Sequence, residues 1–104
     1  MSAYIAVDIT IDDPQTYERY KLLAPPSIAK YGGRYLARGG TVTTLEGDWA
    51  PKRFVILEFR DAETARQWWS SPEYADAKAL RQSCARTQMV LLDGPAFDPA
   101  NAAG

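Results

Sequence analysis

Residues 3–11 alternate without a break. Ala3, Ile5, Val7, Ile9 and Ile11 fall on one face of an extended chain, and Tyr4, Ala6, Asp8 and Thr10 fall on the other. A two-residue apolar period built on β-branched side chains predicts a strand with one buried face. Such a strand cannot bury that face alone. The remaining chain must supply strands for its edges and a second layer to cover it.

The next residues are Asp12-Asp13-Pro14. Asp13 is placed to cap a helix starting at Pro14, where a missing N–H leaves no bond unmade. Tyr17, Tyr20, Leu23 and Ala24 then recur at helical spacing, and Pro25-Pro26 is expected to break or kink the helix. Ser27 is placed to cap a second piece running to Tyr31, ended by Gly32-Gly33. Residues 34–38 read as a strand, Gly39-Gly40 as a turn or bulge, and 41–46 as further extended chain. A loop at 47–51 leads into 53–59, the most apolar strand, expected near the centre of the sheet. Asp61 is placed to cap a helix from Ala62 to Ser70, and Ser71-Pro72 starts another carrying Tyr74, Ala77, Leu80, Arg81 and Cys84 on one face. Residues 87–92 read as the last strand, closed by Asp93-Gly94.

The order β, α, β, β, α, β is the α+β, ferredoxin-like plan: a four-stranded antiparallel sheet with helices on one face. One domain is expected over residues 1–94. Residues 95–104, rich in Pro, Gly and Ala, read as a flexible tail or an arm that Phe97 could anchor. A domain of this size buries only about 60–65% of its unfolded surface. The second sheet face, bearing Tyr4, Ala6 and Asp8, therefore also needs an account. Pairing two sheets in a symmetric homodimer would cover it.

Composition removes whole classes of chemistry. Twelve Lys+Arg against thirteen Asp+Glu leave a net charge of -1, with no basic excess for a nucleic-acid backbone. The chain has no histidine, which excludes Ser-His-Asp triads, histidine bases and histidine metal ligands. Its single cysteine excludes an internal disulfide and any cysteine-cluster metal site. No metal or cofactor is expected. No apolar run approaches the roughly 20 residues of a membrane span. The N-terminal MSAYIAVDIT lacks the charged and apolar regions of a signal peptide. A cytoplasmic protein is expected.

Four motifs occur in order: Gly32-Gly33-Arg34-Tyr35-Leu36-Ala37-Arg38-Gly39-Gly40, Leu45-Glu46-Gly47-Asp48-Trp49, Arg53 through Leu57-Glu58-Phe59, and Ser70-Ser71-Pro72-Glu73-Tyr74. Together they resemble domain-of-unknown-function family 1330, over residues 3–93. The family falls within the dimeric α+β barrel superfamily. The resemblance implies a ferredoxin-like subunit and a homodimer whose two sheets enclose a cavity. It implies no activity. Wider relatives include cofactor-free monooxygenases, lactone isomerases, haem-using enzymes and ligand-binding regulator domains, and fold analogy across them is a weak warrant. A chain without histidine cannot match those that use histidine for haem or proton transfer.

Charges inside the strands are the candidate site. Asp8, Arg34, Arg38, Glu46 and Glu58 lie in apolar, alternating contexts, where a charge must be paired. Arg34 and Arg38 are four residues apart, so a regular strand puts them on one face. One reading is a cavity in which Arg38 holds a carboxylate or enolate while Glu58 or Asp8 moves a proton. In that reading Arg34, Tyr4, Glu46, Trp49 and Arg53 bind the ligand, a small organic acid. The other reading is an Arg–carboxylate network that fixes sheet register or the dimer. Trp49, in a loop beside Asp48, fits a lid, an interface or plain packing. Tyr17, Tyr20 and Trp68 read as core. Cys84 reads as a small buried residue, with a reactive thiol open because Arg81 and Arg86 lie close in sequence. The glycine pairs lack the spacing of phosphate loops. Three function classes remain: a metal-free isomerase or cofactor-free monooxygenase, a non-catalytic small-molecule-binding dimer, and a structural or interaction protein with a filled core.

Overall fold

A computed structural model describes residues 2–94. The tail read from residues 95–104, with Phe97, lies outside the described residues. The order is β1 (Ser2–Ile11), α1 (Pro14–Lys30), β2 (Arg34–Arg38), β3 (Arg53–Phe59), α2 (Ala62–Trp69), α3 (Pro72–Cys84) and β4 (Ala85–Gly94). The strands form one sheet in the order β2-β3-β1-β4, antiparallel throughout. β1 and β3 hold the centre, β3 as its apolar content predicts. This is the ferredoxin-like α+β plan.

The alternation in β1 becomes a division between faces. Ala3, Ile5, Val7 and Ile9 are buried under the helices with Val55, Leu57 and Phe59 of β3. Trp68 anchors the layer between. Its ring lies 5.4 Å from Phe59 and 4.1 Å from Tyr74, and its Nε1 donates to Ser27 Oγ at 3.1 Å. A buried indole N–H needs such an acceptor, since leaving it unmet costs about 1–3 kcal/mol. Asp13, Asp61 and Ser71 cap the three helices, each accepting from a backbone N–H three residues on.

Three local expectations differ from the structure: the helix break, the Ser27 cap and the extended chain at 41–46. Pro25 and Pro26 do not end α1, which continues to Lys30. Tertiary packing overrides a helix-interior cost of about 3 kcal/mol per proline. Ala24, Ser27 and Ile28 are buried on either side of the pair. Ser27 is no cap but lies inside the helix, donating to the Ala24 carbonyl at 2.7 Å while it accepts from Trp68. Residues 41–46 form no strand. Their two apolar residues, Val42 and Leu45, are three apart, so no extended register buries both. Leu45 is left 94% exposed. The connection is tied by Thr44 Oγ1 donating to the Trp49 carbonyl at 2.8 Å.

Candidate functional site

The candidate residues divide between the two sides of the sheet. On the open face Arg34 pairs with Glu58, and Glu58 with Tyr4. Arg34 Nε donates to Glu58 Oε1 at 2.7 Å. That bond, aided by the Ser2 and Tyr4 hydroxyls, holds the Glu58 carboxyl below the usual range. Asp8 lies on the same face and accepts from Trp49 Nε1 at 2.9 Å. Trp49 also meets Phe54 edge-on at 5.5 Å. Its loop thus folds across one end of the open face, over a hollow of about 360 Å³ that Glu46 also lines.

Arg38 is on the other side. Arg34 pairs with Glu58 and Tyr35 with Leu57, but the register then shifts, and Arg38 pairs with the buried Val55. Leu36 is the extra residue of a β-bulge, which reverses the parity of everything after it. Arg34 and Arg38 therefore do not share a face, contrary to their spacing. The structure brings Asp8, Glu58, Arg34, Tyr4 and Trp49 to the open face. It brings Arg38 and Arg53 to the helix side. The acid–base arrangement of Arg38 with Glu58 and Asp8 is not assembled within the chain.

On the helix side, Arg38 and Arg53 line a small, partly open cavity of about 20 Å³ beneath α1, walled by Tyr17, Tyr20, Tyr35 and Val55. That is room for one water. Arg53 Nε donates to the Tyr17 hydroxyl at 3.1 Å, and its guanidinium lies 5.3 Å from that ring's centre. The Arg38 guanidinium sits 4.5 Å over Tyr35. Burial pushes the phenols of Tyr17, Tyr20 and Tyr35 up, so all three stay neutral donors at ordinary pH. Behind them the Tyr20 and Tyr74 hydroxyls meet at 2.9 Å. Arg81 Nε reaches Tyr74 Oη at 3.4 Å, and its Nη1 donates to Thr87 Oγ1.

Arg81 is only 3% exposed. Among the described residues, no carboxylate lies within 4.0 Å of Arg38, Arg53 or Arg81. Of these three guanidiniums only Arg81 is buried, while Arg53 is half-buried and Arg38 exposed, so the interior charge that lacks a counter-ion is that of Arg81, and such a charge favours an anion. The tyrosines and Arg81 do not stand out as site residues in the sequence. The signal available was Arg81 itself, a charge on the stripe of Tyr74, Ala77 and Cys84. Cys84 is buried, and burial pushes its thiol up, away from the reactive form.

A wider hollow, about 460 Å³, lies between α2 and β4 and is walled by Ile5, Trp69, Met89 and Leu91. Its size suits a ligand, but its polar groups do not converge. The Ser70 hydroxyl donates to the Arg66 carbonyl at 3.0 Å, and Arg66 is its one charged lining residue.

Residues 2–95 match the family described as Domain of unknown function (DUF1330). The chain belongs to this family. No curated protein matches it significantly. Solved structures share its fold. A protein of unknown function from Rhodopseudomonas palustris, RPA0582, superposes with a TM-score of 0.74 at 16% identity, over 92% of this chain and 84% of that one. SnoaB, a cofactor-independent oxygenase from Streptomyces nogalater, gives 0.66 at 13% identity, over 94% and 97%. A dimeric ferredoxin-like protein of unknown function from Jannaschia sp. CCS1 gives 0.63 at 14% identity, over 90% and 100%. No helix among the described residues is long and apolar enough to cross a membrane.

Proposed function

We propose that this DUF1330 protein is a homodimer that binds a small, planar organic anion, a conjugated carboxylate or phenolate, beneath α1 in each subunit. The carrying observation is the set of guanidiniums at the tyrosine-walled cavity, two lining it and Arg81 behind, none with a carboxylate partner. Guanidinium forks grip two oxygens together, and neutral phenols add donors without competing charge. Aromatic walls suit a flat, conjugated body. At about 20 Å³ the cavity holds one water, so an aromatic anion fits only once the cavity walls move apart. A ligand enters by opening its mouth at Lys21 and Arg38.

The open face supports the dimer. Val90 and Leu92 are 62% and 61% exposed there, beside Ala6, Ile56 and Phe54, and an apolar sheet face of this kind calls for cover. In this reading Asp8, Glu58, Arg34, Tyr4 and Trp49 serve the contact between subunits. The dimeric relative of the same fold is in keeping with it.

Turnover of the bound anion is the second reading. A guanidinium in an aromatic pocket stabilises an enolate or phenolate, and the likeness to a cofactor-independent oxygenase lends it an analogy. Against it, no carboxylate base lines the cavity among the described residues.

The test is calorimetric titration with benzoate and its neutral isostere benzamide. Benzoate is expected to bind, benzamide to bind at least tenfold more weakly, and Arg53→Met to narrow the difference. Equal affinity for the two probes, or no binding of benzoate, overturns the proposal.

A further inference from the structure

The helix α1 contains a backbone defect, and a site residue is bonded to it. In an α-helix the carbonyl of residue 21 accepts from the N–H of residue 25. Residue 25 is proline, which has no N–H and whose ring pushes that carbonyl aside. The Lys21 carbonyl accepts instead from Arg38 Nη2, at 3.1 Å. Lys21 and Arg38 both line the cavity beneath α1, and both reach solvent. The bond therefore joins helix to strand across the entrance. Leu22, one residue on, is 76% exposed, so little packing holds this turn of the helix from outside.

We infer that Arg38 exchanges partners: it is held by the Lys21 carbonyl that Pro25 strips of its helical donor while the cavity is empty, and by the anionic group of the ligand when the cavity fills. This rests on the anion-binding reading above and adds Arg38 to Arg53 as a residue that selects for charge. A charge-assisted bond to a carboxylate is about twice as strong as one to a neutral group, so an anion displaces the carbonyl and a neutral isostere does not. The bond lies in an exposed position, so water can replace Arg38 at the released carbonyl. The guanidinium needs no backbone movement to turn inward, because it already lies over Tyr35, which also lines the cavity.

The first test needs no ligand. Thermal unfolding is compared for wild type, Arg38→Ala, Pro25→Ala and the double variant. Alanine at 25 restores the helical donor, so Arg38 loses its task there. Removing Arg38 is expected to cost roughly 4–8 °C more in the wild-type background than in Pro25→Ala. Losses additive to within about 2 °C overturn the latch. The cation–π contact with Tyr35 is lost in both backgrounds and cancels.

The second test is benzoate affinity. Pro25→Ala is expected to tighten benzoate roughly fivefold, because no latch must be broken. Arg38→Gln is expected to weaken benzoate on the order of tenfold and leave benzamide unchanged. Benzoate binding that ignores both changes overturns the exchange while the pocket survives. A wild type that binds no benzoate overturns it together with the pocket, even if the unfolding cycle shows coupling.

Discussion

Gly39 and Gly40 are neighbours in sequence and opposites in consequence. Gly39 has φ +71° and would place a Cβ 2.9 Å from Arg53 Cζ, while its N–H donates to the Phe54 carbonyl at 3.0 Å. Gly40 lies outside the left-handed region and would place its Cβ in open space. In Gly39→Ala the left-handed backbone costs roughly 1–2 kcal/mol. The flexible guanidinium tip moves aside cheaply, but the Arg53–Tyr17 hydrogen bond goes with it, at about 1 kcal/mol. Alanine returns about 0.4–1 kcal/mol by stiffening the unfolded chain. The net loss is about 1–2.5 kcal/mol, a drop of roughly 4–20 °C in a domain of this size. Gly40→Ala keeps only the unfolded-state gain, so it is neutral or stabilising by up to about 1 kcal/mol. Urea unfolding of both variants measures the difference. Benzoate titration of Gly39→Ala should also show weakened binding, because Arg53 has left Tyr17. Equal stability of the two variants would refute both the backbone assignment and the packing of Arg53 against the turn.

Glu73 accepts from Lys30 at 2.9 Å and from the Tyr31 hydroxyl at 2.8 Å, and these bonds lower its carboxyl from 4.5 to about 2. Its contribution is full above the unfolded value and lost as pH falls from 4.5 towards 2, so Glu73→Gln should flatten the acid limb of a stability–pH profile. Tyr74→Phe removes the hydroxyl shared by Tyr20 and the buried Arg81; a loss of about 1–3 kcal/mol in chemical denaturation is expected. Val90→Lys on the open face should give monomers in analytical ultracentrifugation.

What the sequence could reveal was whatever is decided locally. Alternation in residues 3–11 is a property of one strand, and it gave the sheet's two faces. The caps Asp13, Asp61 and Ser71 bond three residues ahead, so they too could be read directly. The bulge at Leu36 was not legible, because it depends on how β2 settles against β3. That single shift separates Arg38 from Arg34 and divides the expected site in two. The unbroken helix through Pro25-Pro26 was hidden for the same reason: its compensation comes from Trp68 and Arg38, 43 and 13 residues beyond Pro25 along the chain. The family resemblance covered the fold and left the chemistry open, so the site rests on where the unpaired guanidiniums lie.

Native mass spectrometry of untagged protein with added benzoate tests the central claim most directly. The predicted result is a dimer of twice the 11.5 kDa subunit that gains one benzoate per subunit, loses it on denaturation, and gains less of it in Arg53→Met. A monomer at micromolar concentration, or a dimer that takes up benzoate no better than benzamide, would contradict it.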